Sequence, residues 1–145
     1  MPAKRMPGTA RRSPSKRAAR DTTERTYRQR IGQAAEDIAV EFLGSQGLEI
    51  LKRNFRRRLG ELDVIARRAD VLIVAEVRTR ASNRYGGAAA SVNIRKQRRL
   101  IRTASQFLQQ HKNLAHLRVR FDVIAVSDMD SKNPRIDWIQ HAFLT

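Results

Sequence analysis

Two acidic side chains in the middle of the chain have the types and the spacing that could hold a metal ion. Asp63 lies in the segment Gly-Glu-Leu-Asp-Val-Ile, and Glu76 follows in Val-Ala-Glu-Val-Arg-Thr-Arg. If these segments are strands joined by a tight turn at Ala69-Asp70, antiparallel pairing sets Asp63 opposite Glu76, with Cβ atoms only ~5 Å apart. Two carboxylates this close repel each other unless a cation lies between them. The sequence therefore predicts Asp63 and Glu76 as ligands of Mg²⁺ or Mn²⁺.

Basic side chains follow Glu76 on the same predicted strand. Side chains alternate between the two faces of a strand, so Arg78 and Arg80 share the face of Glu76. A cationic group there can stabilise the charge that develops on a phosphoryl oxygen. The plainer interpretation is a pair of strand acids matched by neighbouring arginines. The acids adjoin an apolar strand, however, where an unpaired charge is costly, and this favours a functional site.

The charge of the chain indicates a polyanionic partner. Its 145 residues include 30 Lys and Arg against 14 Asp and Glu, a net charge of +16. Nucleic acid, with DNA favoured, is the expected partner because neutralising phosphates releases condensed counterions. An anionic membrane surface or an acidic protein would also suit this charge. No apolar run approaches the ~18 residues of a membrane span. The absence of cysteine excludes disulfides and thiolate zinc sites and fits a cytoplasmic location.

The basic charge is divided between a predicted tail and a predicted domain. Residues 1–30 hold ten basic and two acidic residues. The first twenty residues contain three prolines and almost no large apolar side chain, too little to offset the entropy of ordering. We expect a basic disordered tail over residues 1–27 and a nucleic-acid-binding domain over residues 28–145. An organelle transit peptide is the alternative, since such peptides are also rich in Arg and Ser.

Apolar periodicity outlines the elements that would position these residues. The pattern predicts a helix from about 28 to 43, strands over 48–55, 59–67 and 71–80, a helix over 92–108, and strands over 117–126 and 135–143. Residues 71–75 are continuously apolar, as expected for a central strand buried on both faces. The order α-β-β-β-α-β-β predicts an α/β fold with a mixed central sheet flanked by helices.

Several residues outside the hairpin are candidates for a role. Arg95 and Lys96 on the second helix can contact phosphate, or they can line a hydrated face. Tyr85, beside two glycines, can stack on a base, or its loop can move over the site. Glu61 can pair with a nearby arginine. Asp122, in an apolar strand, is expected to satisfy a backbone group or an arginine rather than bind a metal ion.

Short motifs in register along the chain resemble one bacterial family. They are Gly-x-x-x-Glu ending at Glu36, Arg-Asn at 53–54, Gly-Glu-Leu-Asp-Val-Ile, Ala-Glu-Val-Arg-Thr-Arg, Lys96, and Arg-Phe-Asp-Val at 120–123. Together they resemble the YraN family over roughly residues 28–128. That family is similar to the archaeal Holliday-junction resolvases and to the wider PD-(D/E)xK nucleases.

The resemblance implies a restriction-endonuclease-like fold whose metal carboxylates are Asp63 and Glu76. Glu36 would be the helix-borne acid that completes or supports the site, so the implied catalytic set is Glu36, Asp63, Glu76 and Arg78. Arg78 takes the place of the lysine in the E-x-K signature, and arginine, unlike lysine, does not lose its proton. It can still bind phosphate, so the departure weighs against turnover more than against binding.

Three functions are open at this point. The first is a metal-dependent phosphodiesterase acting on DNA. The second is a non-catalytic DNA- or RNA-binding protein that keeps the nuclease scaffold with Arg78 in place of lysine. The third is a basic adaptor that binds acidic proteins or ribosomal RNA through its tail. A homodimer is a further hypothesis, because cutting both strands of a junction suits two-fold symmetry.

Overall fold

The described part of the chain consists of two α-helices and five strands in the predicted order. The computed structural model describes residues 2–3, 15–80 and 92–144. The elements are α1 (Lys16–Ser45), β1 (Glu49–Arg57), β2 (Gly60–Arg68), β3 (Val71–Arg80), α2 (Ile94–Gln110), a short 3-10 helix (Lys112–Leu114), β4 (Arg118–Ser127) and β5 (Arg135–Phe143). The α/β class and the order α-β-β-β-α-β-β are thereby confirmed. No helix within these described residues is long and apolar enough to cross a membrane.

Helix α1 begins earlier than the apolar stripe predicted. The pattern placed its start near Arg28, but the helix begins at Lys16. There the Ser15 Oγ accepts a hydrogen bond from the Ala18 backbone N–H at 3.3 Å, which satisfies one of the free donors at the helix start. Residues 16–30 are exposed, so they carry no apolar face from which periodicity could have located the start.

Contacts divide the chain into two units, Met1–Arg30 and Ile31–Thr145. The first unit includes the exposed part of α1, where Arg28 pairs with Glu24 one helical turn away at 2.6 Å. The second unit holds the whole sheet and α2. The expected division into a basic disordered tail over 1–27 and a domain over 28–145 stays a prediction.

The five strands form one mixed sheet in the order β1-β2-β3-β4-β5. Strands β3 and β4 pair in parallel, whereas the other neighbours are antiparallel. A parallel pair requires a long connection, and α2 lies in the one between β3 and β4. Strand β3 is central, and its residues from Leu72 to Ala75 are at most 2% exposed. The prediction of a central strand buried on both faces is confirmed.

Each face of the sheet carries one apolar cluster and one helix. In the first cluster, Ala35, Ala39 and Leu43 of α1 pack with alternate β3 residues, Ile73 and Ala75. In the second, α2 contributes Leu100, Ala104 and Phe107 beside the other β3 residues, Leu72 and Val74. Because side chains alternate, Glu76 continues the row of Leu72 and Val74 toward the face of α2.

The β2–β3 hairpin has the predicted register. Its pairs run from Arg68↔Val71 beside the turn to Val64↔Ala75. Ala69 in the turn adopts a left-handed backbone conformation with φ 51°. Continuing the same register by one position sets Asp63 opposite Glu76, as the sequence predicted.

Asp122 on β4 is an anchor within the sheet, in agreement with the sequence prediction. The residue is only 1% exposed. It accepts hydrogen bonds from Arg120 Nε at 2.9 Å and Nη2 at 2.8 Å, from Trp138 Nε1 at 2.9 Å, and from the His141 backbone N–H at 3.1 Å. Four donors offset the loss of hydration at this buried charge, and two of them fix β5 against β4.

We expect Asp122→Ala to lower the free energy of unfolding by about 3–5 kcal/mol, because it leaves the Arg120 charge and the Trp138 N–H without their acceptor. Urea denaturation measures this value. The matched control is Asp137→Ala, which removes an acid from the largely exposed pair with Arg135 and should cost less than about 1 kcal/mol. Equal losses in the two variants would contradict the anchoring role.

Candidate active site

An open cleft of about 520 Å³ lies where β2, β3 and α2 meet the turn between β1 and β2. The side chains along it are strongly charged. Its acids are Glu61, Asp63 and Glu76, and its cations are Arg56, Arg57, Arg58, Lys96 and Arg99. The predicted acidic pair therefore opens to solvent at a surface rich in positive charge.

A hydrogen bond from the backbone of β3 to the Asp63 side chain links the two strands at the acidic pair. Asp63 Oδ2 accepts from the Val77 backbone N–H, one residue beyond Glu76, at 2.9 Å. Glu76 is only 7% exposed, and Asp63 is partly buried. Both carboxylates line the same cleft, so the structure brings together the two side chains that the sequence singled out.

The environment of Asp63 favours its protonated form. Burial raises the pKa of Asp63 to about 8, and the negative charges of Glu76 and Glu36 act in the same direction. The hydrogen bond from the Val77 N–H opposes the rise because it stabilises the carboxylate. An acid at a cleft whose pKa is raised by burial and by neighbouring negative charges is typical of a functional site.

Glu36 of α1 acts on the acidic pair through its charge. Its charge raises the pKa of Asp63, and its Oε2 atom is buried without a hydrogen-bond partner in the described part of the chain. The neighbouring residue, Asp37, binds Arg53 of β1 through a 2.6 Å ion pair, which fixes this turn of α1 on the sheet. The buried Oε2 of Glu36 is thus an acceptor without a partner among the described residues.

Lys96 is the contact that neutralises Glu76. Its Nζ forms an ion pair with Glu76 Oε1 and remains 38% exposed in the cleft. Asn93 caps α2 by accepting the Lys96 backbone N–H at Oδ1, at 2.9 Å, which fixes the first turn that carries the ammonium group. The sequence allowed two roles for Lys96, a phosphate contact or a place on a hydrated face. The structure pairs it with an acid.

The acids are chemically suited to a hard divalent cation. Mg²⁺ commonly uses one or two carboxylates and completes its shell with water and phosphate oxygens. Asp63 and Glu76 supply two such carboxylates at the cleft. Across residues 2–3, 15–80 and 92–144, no three His, Cys, Asp or Glu side chains converge as a ready-made metal cluster. Two carboxylates would leave the rest of a cation's shell to other oxygen ligands.

The sequence reasoning missed the arginines of the cleft. Arg58 lies in the β1–β2 turn and Arg99 on α2, and both line the cleft. Gly60 brings the two elements together, since a Cβ there would lie 2.7 Å from Thr103 Oγ1 of α2. The sequence feature that could have indicated them is the run of three arginines at 56–58 directly before Leu-Gly.

The remaining predicted residues differ in where they lie. Arg78 and Arg80 are half-buried on β3, and Arg95 is exposed on α2. Tyr85 lies outside the described residues. Glu61 lines the cleft and pairs with Arg56 at 3.1 Å, as predicted.

Sequence comparison gives the family of this chain. The uncharacterised protein family UPF0102 matches residues 35–126, more than half of the chain. The chain belongs to this family. The matched segment lies within the range of the YraN-type resemblance and contains Glu36, Asp63, Glu76 and Lys96. The prediction of a YraN-type protein is confirmed at the level of the family.

Bacterial UPF0102 proteins match almost over their whole length. One from Pseudomonas aeruginosa PAO1 is 42% identical over 122 residues, which cover 83% of this chain and 98% of that protein. One from Nitrosomonas europaea is 44% identical over 112 residues, with coverages of 77% and 92%. One from Herminiimonas arsenicoxydans is 44% identical over 118 residues, with coverages of 81% and 90%.

The raised pKa of Asp63 predicts a dependence of stability on pH. The folded protein holds this proton up to about pH 8, whereas the unfolded chain releases it at about pH 4. Rising pH between these values therefore favours unfolding. In the presence of a chelator, we expect the free energy of unfolding to fall between about pH 5 and pH 8.5, and to fall less in Asp63→Asn. Urea denaturation over this range measures it; parallel curves for the two proteins would contradict it.

Proposed function

We propose that this protein is a metal-dependent nucleic-acid phosphodiesterase with a restriction-endonuclease-like fold, and that DNA is its favoured substrate. The observation that carries the proposal is the convergence of Asp63 and Glu76 from two neighbouring strands on one cleft bordered by arginines. Carboxylates suit a divalent cation, and arginines suit a phosphodiester. A site for a neutral or cationic substrate would not need both.

The acids Asp63 and Glu76 would hold the cation, with Glu36 as their support from α1. A divalent ion held there would supply positive charge and lower the pKa of a water molecule. The hydrolysis itself would join a water oxygen to phosphorus and break one phosphorus–oxygen bond, with one water proton passing to the leaving oxygen. The buried strand β3 holds Glu76 rigidly for this purpose.

The chain supplies two cations around Glu76. Arg78 follows it on β3, at the position of the lysine in the nuclease signature, and can bind a phosphate oxygen. Lys96 from α2 contacts Glu76 directly. In this proposal the ammonium group that nucleases of this type carry on the strand comes instead from the helix, where it helps to offset charge at the reacting phosphate.

Removal of Asp63 tests the proposal. We expect the purified full-length protein to cut single-stranded, duplex, flap or four-way DNA in Mg²⁺ or Mn²⁺. Asp63→Ala should reduce the rate by at least about 100-fold, since it removes one of the two metal carboxylates, while DNA affinity is retained. Gel analysis of labelled DNA and fluorescence anisotropy measure the two quantities.

The matched control is Asp70→Ala, which removes an exposed acid paired with Arg118 at the far end of the hairpin. It should leave the rate unchanged. Absence of cutting on every DNA form in both metals, in a protein that binds DNA, would overturn the catalytic part of the proposal.

A second candidate is a non-catalytic DNA- or RNA-binding protein on the same scaffold. Two observations favour it: arginine stands at position 78, and the charge of Glu76 is already balanced by Lys96. In that case the wild-type protein binds nucleic acid without cutting it, and Arg78→Lys gains metal-dependent cutting.

Lys96 provides a separate test of the catalytic proposal. We expect Lys96→Gln to lower kcat by about 10²-fold with a smaller change in KM, because the lost charge acts at the reacting phosphate rather than along the whole substrate. Lys96→Arg should keep part of the rate. Lys112→Gln, an exposed position beyond the end of α2, is the control. A loss of folding stability in Lys96→Gln that accounts for the whole drop would assign Lys96 a purely structural role.

A further inference from the structure

Helix α2 has an unusual distribution of charge. It carries the cations Arg95, Lys96, Arg98, Arg99 and Arg102 and no acidic residue. Lys96 is paired with Glu76. Among the residues that the structure describes, the four arginines of this helix form no ion pair with an acid. Unpaired arginines on one helix repel each other, so this charge is a cost to folding unless an anion binds there.

Three of these arginines lie on one side of α2. Arg95, Arg99 and Arg102 recur at steps of four and three residues, so they share one helix face, which we call the cationic flank. All three are exposed. The buried residues of α2, among them Leu100 and Phe107, occupy the side packed on the sheet. The flank is therefore a ridge in solvent rather than part of the core.

The cationic flank leads directly into the cleft. Arg99 lines the cleft that contains Asp63 and Glu76. Gly60 approaches the Arg99 backbone oxygen, with a Cβ position 3.7 Å away, so the β1–β2 turn abuts this part of the helix. Arg58 of that turn faces the same cleft. Positive charge thus lies on both sides of the acidic pair.

We infer that the cationic flank, with Arg58 across the cleft, is the surface that binds the sugar-phosphate backbone of one nucleic-acid strand beside the acidic pair. From Arg95 to Arg102 the helix rises about 10 Å. One strand of a duplex carries a phosphate about every 3.4 Å of axis, so this length faces about three phosphates. Three arginines in single file match such a row, whereas a flat lipid surface presents its charges over an area rather than along one line. The inference rests on the proposed function only in taking nucleic acid as the partner.

The salt dependence of DNA binding tests this surface. The variant Arg95→Gln/Arg99→Gln/Arg102→Gln keeps good helix formers and removes three charges. Each lost phosphate contact reduces the slope of log affinity against log salt by about 0.9 on duplex DNA, so the slope should fall by about 2–3. The ratio of affinities at about 50 and about 200 mM salt then shrinks by about 40-fold. Fluorescence anisotropy with the full-length chain measures both.

The matched control removes three arginines at the other end of the sheet. Arg67 and Arg68 lie at the β2–β3 turn. Arg118 begins β4 beside this turn, where its backbone N–H donates to the Asp70 backbone oxygen at 3.0 Å. Their triple glutamine variant has the same net charge as the flank variant, and its slope should change by less than about 1. Circular dichroism checks that both variants fold.

The outcomes separate this inference from the proposed function. Equal slope changes in both variants, or none in the flank variant, would overturn the inference even if Asp63-dependent cutting is found. A flank-dependent slope in a protein that never cuts would retain the inference and overturn the catalytic proposal. Flank-dependent binding to phosphatidylglycerol vesicles or polyglutamate as tight as that to DNA would overturn nucleic acid as the partner.

Discussion

Negative charge held beside an apolar sheet is the constraint on which the rest of the structure depends. The β2–β3 register brings the carboxylates of Asp63 and Glu76 to one cleft, where burial and repulsion favour the protonated acid. Two groups offset this cost: the Val77 N–H donates to Asp63, and the Lys96 ammonium group pairs with Glu76. These groups come from β3 and α2, so β2, β3 and α2 must be held together for the acids to stay close.

The packing of α2 on the sheet holds these elements together. Phe107 of α2 meets Phe55 of β1 edge-to-face with ring centroids 5.2 Å apart, on the same face as the cleft. The contact between Gly60 and Thr103 leaves no room for a side chain between β2 and the helix. On β4, Asp122 ties β5 to the sheet. Polar groups thus serve two separate purposes here: a fully satisfied carboxylate anchors the scaffold, and incompletely satisfied ones lie where a ligand can complete them.

The hairpin could be predicted because its determinants are local. Side-chain alternation and a two-residue turn fix which residues are opposed, and a slip by one residue would turn the buried face outward. The Lys96–Glu76 ion pair could not be predicted. Periodicity gives the buried face of α2 but not where along β3 the helix docks, and this position decides which cation meets Glu76. The start of α1 was missed for a related reason, since its first residues carry no apolar pattern. The nuclease-like assignment rests on the resemblance of short motifs.

The position of Lys96 on a helix has a mechanical consequence. Arg78 lies on the central strand, so its backbone is fixed with that of Glu76, whereas Lys96 shares α2 with the cationic flank. A nucleic-acid backbone bound to Arg95, Arg99 and Arg102 would hold α2 on its solvent side. Leu100 and the other buried residues hold the helix on the side that faces the sheet. Binding energy along the flank and the charge balance at Glu76 would then act through one rigid element. An anion bound to the flank would also lower the positive electrostatic potential in the cleft. A divalent cation would then be repelled less as it enters beside Asp63. Substrate and cation would in this way support each other's binding, with α2 as the element between them.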